Sequence, residues 1–136
     1  MTIPPVPYFV RAFIHRFDKS CWKCGSQTPV LYAFRPPYNK QEVTFNPKWF
    51  GNYEVTPDDD PAMGEALANR FSWYRLGRSM TRDRDVFASY CKHCDSMQGN
   101  WYVWKDVLEH WSSNEAPDLY DYLDYTTTYD AENALR

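Results

Sequence analysis

The sequence predicts an α+β domain of β-hairpin arms with two or three peripheral helices, and three observations predict it. The chain of 136 residues has four cysteines, and they fall in two identical spacings, Cys21-Trp22-Lys23-Cys24 and Cys91-Lys92-His93-Cys94. Each pair is flanked by stretches with strand-like alternation or strand-like composition. Between and beyond those stretches lie a helix-start signal and apolar residues at helical spacing.

Taken in chain order, Val6, Tyr8, Val10, Ala12 and Ile14 alternate with Phe9, Arg11, Phe13 and His15, and a period of two predicts a strand running toward the first cysteine pair. After Gly25, Thr28-Pro29-Val30-Leu31-Tyr32-Ala33-Phe34 reads as the returning strand, with Pro29 near its start, where a missing amide donor costs least. Pro36, Pro37, Pro47 and Pro57 break residues 35–60 into loops, with a short strand at Val43-Thr44-Phe45. Asp60 followed by Pro61 predicts a helix start with the aspartate as N-cap. The neighbouring Asp58 and Asp59 lack the alternation and closing glutamate of a calcium loop. Asp85 to Tyr90 leads into the second pair and Trp101-Tyr102-Val103-Trp104 leads out, with Gly99 and Asn100 as turn residues. Val107, Leu108 and Trp111 predict a helix over 105–112, and Leu119 and Leu123 a second short helix from Pro117.

A single domain over 1–136 follows from this order, with an inserted loop and helix region at about 35–84 and an acidic, Tyr-rich segment at about 113–136. No internal repeat appears beyond the two arms.

Two Cys-x-x-Cys knuckles supply the four thiolates of a tetrahedral zinc site, which makes Cys21, Cys24, Cys91 and Cys94 the predicted Zn2+ ligands. Gly25 and Asp95 follow the knuckles, where the chain turns through a left-handed conformation that these residues tolerate. Sixty-six residues separate the pairs, against roughly fifteen to twenty in a compact ribbon, so the fold of the whole domain must bring them together. A thiol redox pair is a weaker alternative, because no strand-to-helix junction of a βαβ unit adjoins either pair. Disulfides suit secreted chains, and residues 1–20 carry no secretory pattern. His93 lies within the second knuckle but is not needed as a ligand; His15 and His110 read as packed histidines.

No stretch approaches the roughly 20 apolar residues of a spanning helix, and the expectation is a cytoplasmic chain with no membrane partner. Aromatic residues make up 18% of the chain and compensate for sparse aliphatic ones in building a core. Net charge is −3 but uneven: fourteen Lys and Arg against ten Asp and Glu through Lys105, then one against eight. That division leaves a basic body and an acidic tail. Within the tail, Tyr120, Tyr122 and Asp124 are candidate contacts for a protein partner, tyrosine giving area and aspartate steering. The alternative partner is single-stranded nucleic acid on Arg70 to Lys92, where Arg70, Arg75 and Arg78 would meet phosphate and Trp73 would stack on a base. No phosphate loop, His-Glu-x-x-His pattern or nucleophile motif is present, so no catalytic residue is assigned and an enzyme is the lesser expectation.

The second arm, Tyr90-Cys91-Lys92-His93-Cys94-Asp95-Ser96-Met97-Gln98-Gly99-Asn100-Trp101-Tyr102, resembles a pattern in small uncharacterised bacterial proteins. There a Cys-x-x-Cys is followed by Gln-Gly and aromatics, and an upstream Cys-x-x-Cys by a Thr-Pro-apolar strand, as Thr28-Pro29-Val30-Leu31 is here. Asp95 stands where glycine is commoner, and Met97 where a small or apolar residue is. The resemblance covers 20–34 and 86–104. It implies a zinc-ribbon-like bacterial protein and no particular activity. The functional expectation is a non-enzymatic structural-zinc protein acting through protein–protein contacts, as an inhibitor, immunity factor or adaptor.

Overall fold

A computed structural model describes residues 8–35, 55–112 and 121–128. The strand expected at Val43-Thr44-Phe45, the candidate contact Tyr120 and the helix start at Pro117 lie outside them. The elements run β1 (Tyr8–Ser20), β2 (Gln27–Phe34), α1 (Pro61–Arg70), β3 (Tyr74–Ser79), β4 (Arg84–Tyr90), β5 (Met97–Gln98), α2 (Asn100–Ser112) and β6 (Asp121–Thr127). They make a mixed α+β fold with two small antiparallel sheets, ordered β2-β1-β6 and β3-β4-β5. In each sheet the central strand, β1 or β4, runs into a cysteine pair and the next strand leaves it.

Because β1 is flanked on both sides, its middle is buried on both faces. Val10, Ala12 and Ile14 join the main core with Leu31, Ala33, Met63, Leu67, Phe87 and Tyr125. On the other face Phe13 stands in register with Phe34 and Tyr122, with ring centroids at 6.0 and 5.5 Å. Cross-strand ring pairs of this kind are what hold a narrow sheet together. A direct bond joins the sheets where the Leu31 N–H donates to Ser89 Oγ, 3.1 Å away. Helix α1 approaches β4 closely at Gly64, where a Cβ would overlap the Phe87 ring.

A buried polar cluster ties three distant segments together. Asp60 Oδ2 accepts from Tyr125 Oη at 2.7 Å and from the Arg35 guanidinium at 3.3 Å, and Oδ1 accepts from Thr127 Oγ1 at 2.7 Å. Arg35 Nε also donates to Tyr125 Oη at 3.0 Å. Arg35 and Asp60 are each 1% exposed, and an ion pair so far from water persists only with its remaining polar atoms satisfied.

Four expectations need correcting. Asp60 does precede α1 in an extended conformation, but its side chain makes no cap and serves the buried cluster instead. The neighbouring aspartates go elsewhere, Asp59 to the Thr56 N–H and Asp58 to Arg82. Trp101-Tyr102-Val103-Trp104 is the first turn of α2 rather than a strand, since Val103 and Val107, four apart, are the buried positions among its described side chains. The outgoing strand is the two-residue β5. The tail segment expected to be helical is β6, in which Leu123, Tyr125 and Thr127 alternate with the exposed Tyr122, Asp124 and Thr126. The inserted region also contributes a strand, β3, which pairs along most of β4. Two helices are seen among the described residues.

Candidate metal centre

The two knuckles have the same local geometry, atom for atom. In the first, the Gly25 N–H donates to Cys21 O at 3.0 Å and the Cys21 N–H to Ser26 O at 2.9 Å; in the second, Asp95 donates to Cys91 O and Cys91 to Ser96 O, both at 2.9 Å. The turns close through left-handed residues, Gly25 at φ 76° and Asp95 at φ 63°, which glycine adopts freely and aspartate tolerates. Each turn aims a backbone N–H at its first sulfur: Lys23 at Cys21 Sγ and His93 at Cys91 Sγ, both 3.4 Å away.

The knuckles also lock onto each other by exchanged contacts. Trp22 Nε1 donates to Met97 O at 2.7 Å, while His93 Nε2 lies 3.2 Å from Gln27 O. Thr28 and Gln98 each stand seven residues after the first cysteine of their knuckle. Thr28 Oγ1 accepts from the Lys92 N–H at 3.0 Å, and Gln98 Nε2 donates to Cys21 Sγ at 3.3 Å. This interlocking brings all four Sγ atoms within 4.8 Å of one another. Cys21 and Cys94 lie 3.6 Å apart and Cys24 and Cys91 3.7 Å. All four cysteines are free thiols, with Cys21 and Cys91 buried.

Electrostatics follow from the donors. The Cys24 N–H, joined by those of Lys23 and the Gln98 amide and opposed by burial, pulls the Cys21 thiol down to about 6. Burial works to raise Cys91, but the N–H groups of Cys94 and His93 outweigh it and lower that thiol. At Cys24 the Ser26 N–H and hydroxyl favour thiolate, yet burial, joined by the neighbouring Cys91 and Cys94 thiols, holds the group above its ordinary value. Four sulfurs this close cannot all ionise beside one another without a cation. The set could bind a metal ion, and its soft, all-sulfur composition suits a thiophilic one.

The other predicted site residues are placed as follows. Tyr122 and Asp124 lie on β6; Asp124 accepts two bonds from Arg11, whose guanidinium also sits 5.0 Å from the Tyr122 ring. Arg70 binds Asp121 and Tyr122 O, Arg75 pairs with Asp95 above the Tyr90 ring, and Arg78 pairs with Asp83. Trp73, expected to stack on a base, is buried in the core beside Phe71. Arg70, Arg75 and Arg78 are therefore each paired with a different acid, and Trp73 is buried and unavailable as a stacking ring. His93 turns its ring to Gln27 O rather than standing in for a cysteine.

Sequence reasoning missed Gln98 and Thr28. Their identical offset from the knuckles was the available signal, but an amide and a hydroxyl advertise no role until the partner segment is in place. Comparison with protein-family models, curated proteins and solved structures finds no match to this chain. No helix among the described residues is long and apolar enough to cross a membrane.

Proposed function

We propose that the four cysteines hold one structural zinc ion and that this is a non-enzymatic, zinc-ribbon-like protein that works by binding. The observation that carries the reading is the sulfur geometry. Zinc–sulfur bonds of about 2.3 Å in a regular tetrahedron set sulfurs about 3.8 Å apart, and the opposed pairs here stand at 3.6 and 3.7 Å. Four thiolates complete the coordination of zinc and leave no position for a reacting water. The ion's part is to join two hairpins that are distant in sequence.

With the metal closed off, function falls to the surface. Within the described residues 121–128 the acidic segment is the strand β6, tied to β1 and, through Tyr125 and Thr127, to the buried cluster, so that part of it is not a detachable arm. The large apolar side chains that stand exposed beside the knuckles, Trp22, Met80, Trp101 and Tyr102, form the binding face in this reading.

One observation favours a second reading. A Cys21 thiol lowered to about 6 is also what a redox pair needs. The two readings separate on Cys91→Ser. A structural site loses metal and its cooperative fold, whereas a redox protein stays folded and its remaining thiols stay reactive toward a dithiol and its oxidised form. Far-UV circular dichroism with metal analysis on that variant decides between them.

A further inference from the structure

We infer that the groove beside the first knuckle binds single-stranded nucleic acid, and this rests on the binding-protein reading above. Two adjoining cavities, of about 630 and 550 Å³, meet along Met97 and Tyr102. Trp22 lines the first and Trp101 the second. Their rings are 68% and 60% exposed, Tyr102 is 61% exposed, and Met80 at the rim is 88% exposed. The Trp22 ring is not loose, because its N–H is held by Met97 O. Trp101 and Tyr102 meet edge to face at 5.1 Å. Large rings held at an edge and mostly exposed are stacking platforms for flat partners.

Charge selects among flat partners. The ionic side chains lining the two cavities are Lys19, Arg78 and Arg82 against one acid, Asp58. Lys105 adds a cation 5.6 Å from the Trp101 ring. These cations have acidic neighbours: Lys19 meets Asp106, Arg78 meets Asp83 and Arg82 meets Asp58. The Arg78 pair is largely exposed and the Arg82 pair partly so, and such pairs are weak enough for phosphate to exchange into them.

Rings to stack on and cations for phosphate are together the complement of an unpaired stretch of nucleic acid.

The test is fluorescence anisotropy of the zinc-loaded full chain with a labelled, mixed-sequence single strand of about 10 nucleotides. Binding is expected at micromolar protein. Tyr102→Ala, on the outer face of α2, and Trp22→Ala should each weaken it by about 5- to 150-fold, the effect of one stacked base. Phe9→Ala, an exposed ring outside the groove, should leave it unchanged. If Arg78 and Arg82 meet two phosphates, raising salt from about 50 to about 200 mM should weaken binding about sevenfold, and Arg78→Ala should flatten that dependence. No binding at about 100 μM by protein that mass spectrometry shows to be zinc-loaded overturns this inference and leaves the structural-zinc reading standing. A protein ligand lost with Tyr102→Ala and not displaced by the oligonucleotide overturns it equally. Folded protein that holds no metal would instead overturn the reading beneath it.

Discussion

Replacing Asp60 by alanine probes the buried cluster with little other disturbance. The α1 start survives the change, because the Asp60 carbonyl, not its carboxylate, accepts the Met63 N–H at 3.0 Å. What is lost is the acceptor for Tyr125 Oη, Thr127 Oγ1 and the Arg35 guanidinium. Both charged partners are 1% exposed, and removing one member of a buried pair costs about 3–5 kcal/mol, since the other charge remains out of water. For a chain of this size that corresponds to a fall of roughly 10–20 °C in Tm. Asp59→Ala is the matched comparison: that carboxylate is exposed and accepts from the Thr56 N–H, a contact worth about 1 kcal/mol. Urea unfolding of the metal-loaded proteins gives both numbers. If Asp60→Ala cost no more than Asp59→Ala, the cluster would not be holding β2, the α1 entry and β6 together, and the reasoning would be refuted.

Two further outcomes follow from packing and titration. Gly64→Ala should destabilise by about 1–3 kcal/mol through overlap with Phe87, less the gain in helix propensity of about 1 kcal/mol; Phe87→Leu in the same chain should recover part of the loss in urea unfolding. Burial raises Tyr74 and Tyr125 above the ordinary tyrosine range. The unfolded chain therefore releases their protons first, and the stability they contribute is complete below about pH 10 and declines as the pH rises further. Urea unfolding from about pH 9 to about pH 11 should show that decline, with Tyr125→Phe reducing the total loss over that range by about 1.4 kcal/mol.

What could be read from the sequence was what local chemistry dictates. A knuckle is a matter of four residues and a turn, so Cys21 to Gly25 and Cys91 to Asp95 announced both the cysteines that cluster and the left-handed residues that follow them. Asp60-Pro61 announced α1 in the same way. The strand β6 was hidden because Leu119 and Leu123 happen to be four apart, while its true period of two, Leu123, Tyr125 and Thr127, ends in a polar residue. Helix α2 began in a run of aromatics that favours strands, and the deciding pair, Val103 and Val107, straddled the boundary drawn at Lys105. Trp73 looked available for stacking because arginines surround it in sequence, although its ring packs with Phe71 in the core. The contacts that make the centre, Gln98 to Cys21 and Thr28 to Lys92, span 77 and 64 residues, and no local pattern encodes them.

The central claim is that one zinc ion, held by four cysteines, joins the two arms. Native mass spectrometry of protein purified without chelator, paired with thiol counting before and after chelation, tests it most directly. The account predicts one bound zinc per chain, four thiols that resist alkylation until the metal is removed, and loss of the cooperative fold once it is. A folded, metal-free chain with four freely titrating thiols, or with two disulfides, would contradict it.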